Sequence, residues 1–207
     1  MSAPARPAEP LTIDVSVLPD AAFGHRGLTW WATVAFMAIE ASTLLACLGA
    51  LVYLRTNTTQ WPPAPYAPPD VAPFAANVVL LLGKLWPFGR AEAAAKRLDE
   101  AGVRRWMLIG TLWGLVCVVL RGFELAALDV RWDDDAYGSA VWAVSVAHTS
   151  LLVTDLLESA AITAIFFLTH PQPRHFSDVE DSALYERFLS ISWAVLAAAL
   201  VLAPRLP

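Results

Sequence analysis

Long apolar runs separated by short polar segments dominate the pattern of this chain. A helix needs about 20 apolar residues to cross the hydrocarbon core of a bilayer, and five segments reach or approach that length, the second being the shortest. The predicted helices cover about residues 28–54, 71–86, 104–128, 138–168 and 185–204, after a polar tail at 1–27. The pattern therefore predicts an all-α membrane protein, a single domain at 28–204 built as a five-transmembrane-helix bundle.

Basic residues in the predicted loops indicate the orientation of this bundle. Five spans assign ten basic residues to one side: Arg6, Arg26, Lys84, Arg90, Lys96, Arg97, Arg104, Arg105, Arg174 and Arg187. The other side receives four: Arg55, Arg121, Arg131 and Arg205. Because cytoplasmic loops carry the excess of Lys and Arg, we expect the N-terminus to be cytoplasmic and the C-terminus to lie outside.

Composition narrows the class of protein further. Soluble domains usually carry about 25% charged residues, whereas this chain carries 16% with a net charge of −5, which gives no indication of nucleic-acid binding. Both cysteines lie in apolar runs, so no disulfide framework is expected. Phosphate-binding loops and nucleophile elbows are absent from the sequence. Nothing therefore predicts a self-sufficient enzyme, and no catalytic residue is assigned.

The connections between the helices have their own signals. Residues 61–73 form a proline-dense, extended linker, and residues 91–102 predict a short cytoplasmic helix. The second span ends on Lys84, whose ammonium group is expected to snorkel to the interface beside Trp86. Tryptophans near the predicted interfaces match an aromatic belt.

The most informative residues are ionisable groups at membrane depth. They are Glu40, Glu124, His148, Asp155 and Glu158. Each could serve as a proton relay, as an ion or metal ligand, or as a helix-packing contact satisfied by a neighbour. On the fourth helix His148, Asp155 and Glu158 are seven and three residues apart, which predicts one polar stripe suited to contact a partner helix.

Metal and haem sites have weak support in the sequence. Carboxylate-bridged metal bundles use Glu-x-x-His pairs on facing helices, and the sequence contains neither that pair nor His-x-x-x-His nor Cys-x-x-Cys. His148 is the single histidine at depth, whereas bis-histidine haem ligation needs two. We therefore expect no metal and no cofactor on this chain.

Six short motifs in order resemble the cytochrome c oxidase subunit III family. They are WWATVAFMAIE (30–40), TQWPP (59–63), PFAANVVLLL (73–82), VVLRGFEL (118–125), DDAYGSAVWAVSVAH (134–148) and ALYERFLSISW (183–193). They are similar to that family's Glu-bearing helix, its Trp-Pro-Pro loop, an Asn-containing helix start, a second Glu-bearing helix end, an Asp-Gly-x-Tyr-Gly-Ser segment and the last helix. The resemblance runs from about residue 28 to 204.

This resemblance implies a short, divergent, bacterial five-helix form that lacks the first two of seven helices. Such a chain would be a non-catalytic accessory subunit in the bacterial inner membrane, packed against the catalytic subunit I of a haem-copper oxidase. Haem and copper would sit on partner subunits, phospholipid would bind to this chain, and the subunit would support stability and proton uptake. Residues expected to contact lipid or a partner are Trp30, Trp31, Trp61, Asn77, Arg121 and Tyr137.

Departures from the family pattern leave alternatives open. The family's His-x-x-His becomes His148-Thr-Ser-Leu151, and its His-Phe-x-Asp becomes Arg187-Phe-Leu-Ser190. One alternative is a subunit III-like component of a nitric oxide reductase or another respiratory assembly. Another is a small proton- or ion-coupled transporter, although the inverted repeats and broken helices common in transporters are missing.

Overall fold

Five long helices make up almost all of the fold in the computed structural model, which describes residues 27–205. They are α1 (Leu28–Thr56), α2 (Val71–Ala95), α3 (Glu100–Ala126), α4 (Ala136–Leu168) and α5 (Pro173–Leu202), followed by a 3-10 turn at Ala203–Arg205. No strand occurs within these residues, and each of the five helices is long and apolar enough to cross a membrane. The predicted all-helical fold with five membrane-spanning helices is confirmed. The orientation of the termini stays a prediction, and the tail at 1–26 lies outside the described residues.

Aspartates begin three of the helices. Asp70, Asp99 and Asp135 precede α2, α3 and α4, and their carboxylates accept a backbone N–H from two or three residues further on, at 3.2, 3.0 and 2.7 Å. The first N–H groups of a helix have no partner within it, so such a cap satisfies one of them. The short polar segments between apolar runs therefore define where these helices start.

Two helix boundaries differ from the sequence prediction by nine residues or more, whereas the others agree within four residues. α2 continues through Pro87 to Ala95, so the predicted short helix at 91–102 is instead the end of α2, a turn and the start of α3. One proline removes only one backbone hydrogen bond, and the alanines that follow it bury against neighbouring helices. The turn closes at Leu98, whose φ is 54°, and Asp99 donates its N–H to the carbonyl of Ala94 at 3.0 Å.

α5 begins at Pro173, twelve residues before the predicted start at 185. Its first turns are rich in charge and therefore do not register in a search for apolar runs. They nevertheless carry an apolar face, since Phe176, Val179 and Ala183 recur at helical spacing and are buried. Pro173 suits the first helical position, where its missing N–H costs no hydrogen bond.

The helices pack as a ring of four with one helix outside it. α2 packs against α3 and α5, α3 packs against α4, and α4 packs against α5, which closes the ring. α1 lies on the outer side of this ring, against α4 and α5. Polar residues of α2, α4 and α5 that point inward therefore meet one another at the centre of the ring.

Two apolar clusters fill the ring at different depths. One surrounds Trp193 and Phe74, and the other surrounds Phe88, Met107 and Phe166. Between the two clusters, α2, α4 and α5 carry buried polar residues, among them Lys84, Asp155 and Glu186. The apolar core is therefore divided by a polar layer inside the membrane-spanning part of the chain.

Close approach of α2 and α3 requires Gly110. A Cβ atom at this position would lie 2.7 Å from the ring of Phe88, which is buried, whereas a Cβ at Gly122 on the same helix would meet nothing within 4 Å. We expect Gly110→Val to lower the free energy of unfolding by about 1–3 kcal/mol, because the extra carbons overpack a filled core.

Gly122→Val is the matched control, because it makes the same change of helix propensity in the same helix without a clash. Thermal unfolding of the two variants in one detergent checks the prediction. Equal midpoints for both variants would show that α2 and α3 do not need this close approach.

Candidate functional site inside the helix bundle

Four of the five predicted intramembrane residues are buried inside the chain. Glu40, Glu124, His148 and Asp155 are each no more than 5% exposed, while Glu158 is exposed on the outer face of α4. The predicted single stripe on the fourth helix is thus divided, because His148 and Asp155 point into the ring and Glu158 points out of it. The structure also brings in residues that the sequence reasoning did not select.

Lys84 is the first of these, and the expectation for it was wrong. Its side chain does not snorkel to the interface but is buried, with a relative exposure of 1%. The ammonium nitrogen lies 2.6 Å from a carboxylate oxygen of Glu186 on α5 and 3.1 Å from one of Asp155 on α4. We call Lys84, Asp155 and Glu186 the lysine cluster. It joins α2, α4 and α5 in the layer between the two apolar clusters.

The charges of the lysine cluster constrain its protonation. One ammonium group beside two ionised carboxylates would leave a net negative charge in a buried place, and an unbalanced buried charge is strongly unfavourable. The neutral form has one carboxyl protonated and one ionised. The cluster can therefore hold one proton between Asp155 and Glu186, within reach of Lys84.

A second buried group, the arginine cluster, consists of Arg121, Glu124, Asn77 and Trp193. Arg121 Nη1 donates to Glu124 Oε1 at 2.9 Å, and Asn77 Nδ2 donates to Glu124 Oε2 at 2.8 Å. The guanidinium carbon of Arg121 lies 3.4 Å from the centre of the Trp193 ring, a cation–π contact. This cluster is neutral when the arginine and the glutamate are both ionised.

Counting Lys84 and Arg121 as loop cations was also wrong, since both are inside the bundle. Their removal from the two totals leaves nine basic residues on one predicted side and three on the other. The asymmetry therefore still favours the predicted orientation.

His148 lies between the lysine cluster and the arginine cluster, and its contacts are with other residues of the bundle. Its Nε2 lies 3.0 Å from the carbonyl oxygen of Leu189, and because a carbonyl can only accept, Nε2 carries the proton. The ring also packs on Trp193 with 4.9 Å between centroids. Within residues 27–205 no three His, Cys, Asp or Glu side chains are grouped so that they could hold a metal ion.

Glu40 is tied to α5 by Tyr185. The tyrosine hydroxyl lies 2.8 and 2.7 Å from the two carboxylate oxygens and donates a hydrogen bond that they share. This contact joins α1, the helix outside the ring, to α5. A cavity of about 280 Å³ adjoins it, lined by Ala32, Thr33 and Phe36 on one side and by Thr154, Glu158 and Tyr185 on the other.

Five of the six residues predicted to contact lipid or a partner fall into two groups, and the sixth, Trp61, lies in the proline-rich linker. Asn77, Arg121 and Tyr137 are buried and make their contacts within this chain. Trp31 is exposed, and Trp30 lies beside it with the rings 5.0 Å apart.

The proline-rich linker is held against the start of α4. The Trp61 ring lies 4.9 Å from that of Tyr137, and Tyr66 donates its hydroxyl to Asp134 at 3.3 Å. In the same loop Arg131 donates hydrogen bonds to Asp133 at 3.0 and 2.8 Å, and these hold the pKa of that carboxyl below its usual range.

Comparison with known proteins gives an informative similarity. The chain is 24% identical over 186 residues to cytochrome c oxidase subunit 3 of Synechocystis sp., which covers 86% of this chain and 78% of that protein. No family model matches the chain. This similarity supports the resemblance to the subunit III family noted from the six motifs.

The lysine cluster generates a stability prediction. Lys84→Met leaves two carboxyl groups buried without their cation, so we expect the free energy of unfolding to fall by about 3–5 kcal/mol. Replacing the whole cluster, with Lys84→Met, Asp155→Leu and Glu186→Leu together, should recover most of that loss. Chemical denaturation in detergent measures both variants.

Lys96→Met provides the control, because it makes the same substitution at an exposed lysine in an i,i+4 pair with Glu92. Such a surface change is expected to stay within about 0.5 kcal/mol. A triple variant no more stable than Lys84→Met would contradict the charge-balance argument.

Proposed function

We propose that this chain is a non-catalytic accessory subunit of a haem-copper respiratory oxidase. The observation that carries the proposal is the similarity to a cytochrome c oxidase subunit 3 along 86% of the chain. The five helices able to span a membrane agree with such a role. In this role the chain packs against the catalytic subunit I, which holds the haem and copper, in the bacterial inner membrane with its N-terminus in the cytoplasm.

Two apolar grooves beside α5 support the part of the proposal that concerns phospholipid. One lies between α2 and α5, is lined by residues such as Phe74, Val78 and Ala197, and has a volume of about 210 Å³. The other lies between α1 and α5, is lined by residues such as Leu44, Leu48 and Phe188, and has the same volume. Acyl chains of bound phospholipid would occupy these grooves.

Glu40 supports the part that concerns proton uptake. Its carboxyl group is buried, bonded to Tyr185, and adjacent to a cavity that also contains Glu158. Carboxyl groups at membrane depth commonly serve proton relays. We propose that Glu40 assists proton delivery to the catalytic subunit without taking part in its redox chemistry.

Purification through a tag on this chain tests the proposed role. We expect the tagged chain, extracted from native membranes in mild detergent, to recover a large histidine-rich membrane subunit that carries haem and copper. The separated chain should show no haem absorption. Haem bound to this chain alone would contradict the role, and recovery of a nitric oxide reductase would assign it to that assembly.

Glu40→Gln tests the role in proton uptake. Glutamine still accepts the Tyr185 hydroxyl but cannot release or take up a proton near neutral pH, so assembly should be unchanged. We expect lower turnover of the assembled complex, with the deficit growing as pH rises and protons become scarcer. Oxygen consumption across a pH series measures this.

Thr43→Val is the matched control, because Thr43 is an exposed polar residue of α1 within one turn of Glu40. Turnover equal to that of the unmodified complex at every pH would remove Glu40 from proton uptake. It would leave the proposed subunit role intact.

A further inference from the structure

Three polar residues form an outward-facing row at membrane depth on α4. Ser150, Thr154 and Glu158 recur every four residues, and all three are exposed. We call them the α4 polar face. Glu158 lies ten residues before the end of α4 at Leu168, and the residues that follow it in the helix are apolar or small, so its carboxyl group falls inside the predicted membrane span.

The two hydroxyl groups of this face are already satisfied within the helix. Ser150 donates to the carbonyl of Ala147 at 2.7 Å, and Thr154 donates to the carbonyl of Ser150 at 2.9 Å. Glu158 differs from them, because no hydrogen bond or ion pair links it to any other residue in the range 27–205. Its carboxyl group is therefore the unsatisfied member of the face.

Several acidic groups among the described residues act on Glu158. They are Asp155, Asp178, Asp181 and Glu40. The buried cation of the lysine cluster, Lys84, is already held by Asp155 and Glu186. A carboxyl group with acidic neighbours and no cation is complementary to a positive charge, and lipid acyl chains cannot supply one.

Space for such a charge exists beside Glu158. The cavity of about 280 Å³ between α1, α4 and α5 has Glu158 and Thr154 on one wall and the small residues Ala32 and Thr33 on another. A water molecule takes about 30 Å³ in the liquid, so the cavity has room for the end of a long side chain. Two of its lining residues, Thr154 and Glu158, are the exposed members of the α4 polar face.

We propose that the α4 polar face is the docking site for a transmembrane helix of another subunit, and that a lysine or arginine of that helix enters the cavity and pairs with Glu158. This inference rests on the proposed role of the chain as a subunit of a membrane complex. It adds the surface used, the depth of the contact and the chemistry of the partner residue.

The Glu158→Leu variant distinguishes a Glu158 that pairs with a partner helix from a Glu158 that faces lipid. Leucine suits lipid better than glutamate does, so a lipid-facing site would tolerate the change without loss of association. If Glu158 pairs with a partner cation, the haem-bearing subunit recovered per tagged chain should fall at least about tenfold, because the cation is left buried without its partner. Leu157→Ala, at the neighbouring exposed position, should leave recovery unchanged.

The thermal midpoint of the separated chain distinguishes lost docking from misfolding. Glu158 has no bonded partner within residues 27–205, so Glu158→Leu should not lower that midpoint. Unchanged recovery of the partner with Glu158→Leu would overturn the inference while leaving the proposed function standing. Failure of the unmodified chain to recover any haem-bearing subunit would instead contradict the proposed function.

A photo-crosslinker identifies the helix on this face whatever the partner is. Benzophenone is attached to the thiol of a Leu157→Cys variant, which keeps Glu158 and in which Cys47 and Cys117 are replaced by alanine, and native membranes are then irradiated. The expected product joins the labelled position on α4 to a transmembrane helix of another protein, with a lysine or arginine within one turn of the linked residue. Products formed only with lipid, or only with a second copy of this chain, would overturn the inference.

Discussion

The lysine ammonium between two carboxyl groups is the contact on which the arrangement of the helices depends. Lys84, Asp155 and Glu186 come from three different helices and meet where the apolar core is interrupted. An ionised side chain on a single helix in hydrocarbon is energetically unfavourable, and on any one of these helices the ionisable group would have no partner. Their association brings the three groups together, and this fixes the relative depth and rotation of α2, α4 and α5.

The arginine cluster differs from the lysine cluster because its main ion pair lies within one helix. Arg121 and Glu124 are three residues apart on α3 and can pair before α3 meets any neighbour. Asn77 and Trp193 then attach this pair to α2 and α5. The bundle thus combines one ion pair that is satisfied locally with one that is satisfied only by tertiary structure.

Sequence patterns predicted the helices well because long apolar runs are sufficient to define membrane spans. They failed where a helical segment is also rich in charged residues, as in the first turns of α5. There the charged residues on the outer face lowered the apolar content of the segment, although Phe176, Val179 and Ala183 form a buried row. For the same reason Glu186 was missed, since it fell at the predicted edge of the last helix. Lys84 was placed at the interface because its two carboxylate partners are 71 and 102 residues away, and no pattern along one helix reveals them.

Two residues of α5 that depart from the subunit III pattern make polar contacts with α2. Arg187, in place of the family histidine, pairs with Glu92 near the end of α2, and Ser190 donates to the carbonyl of Leu81 at 3.0 Å. Polar contacts between α5 and α2 are thus made by Glu186, Arg187 and Ser190.

The chain thus satisfies its deep charges internally, through Lys84 for Asp155 and Glu186 and through Arg121 for Glu124. A polar group satisfied inside a subunit does not select a partner, because it gains nothing from the partner's approach. Glu158 is exposed and has acidic neighbours, so its carboxyl group does gain from a cation brought by another helix. In the proposed complex, Glu158 would select the partner helix, whereas the buried lysine and arginine clusters stabilise the fold of this chain.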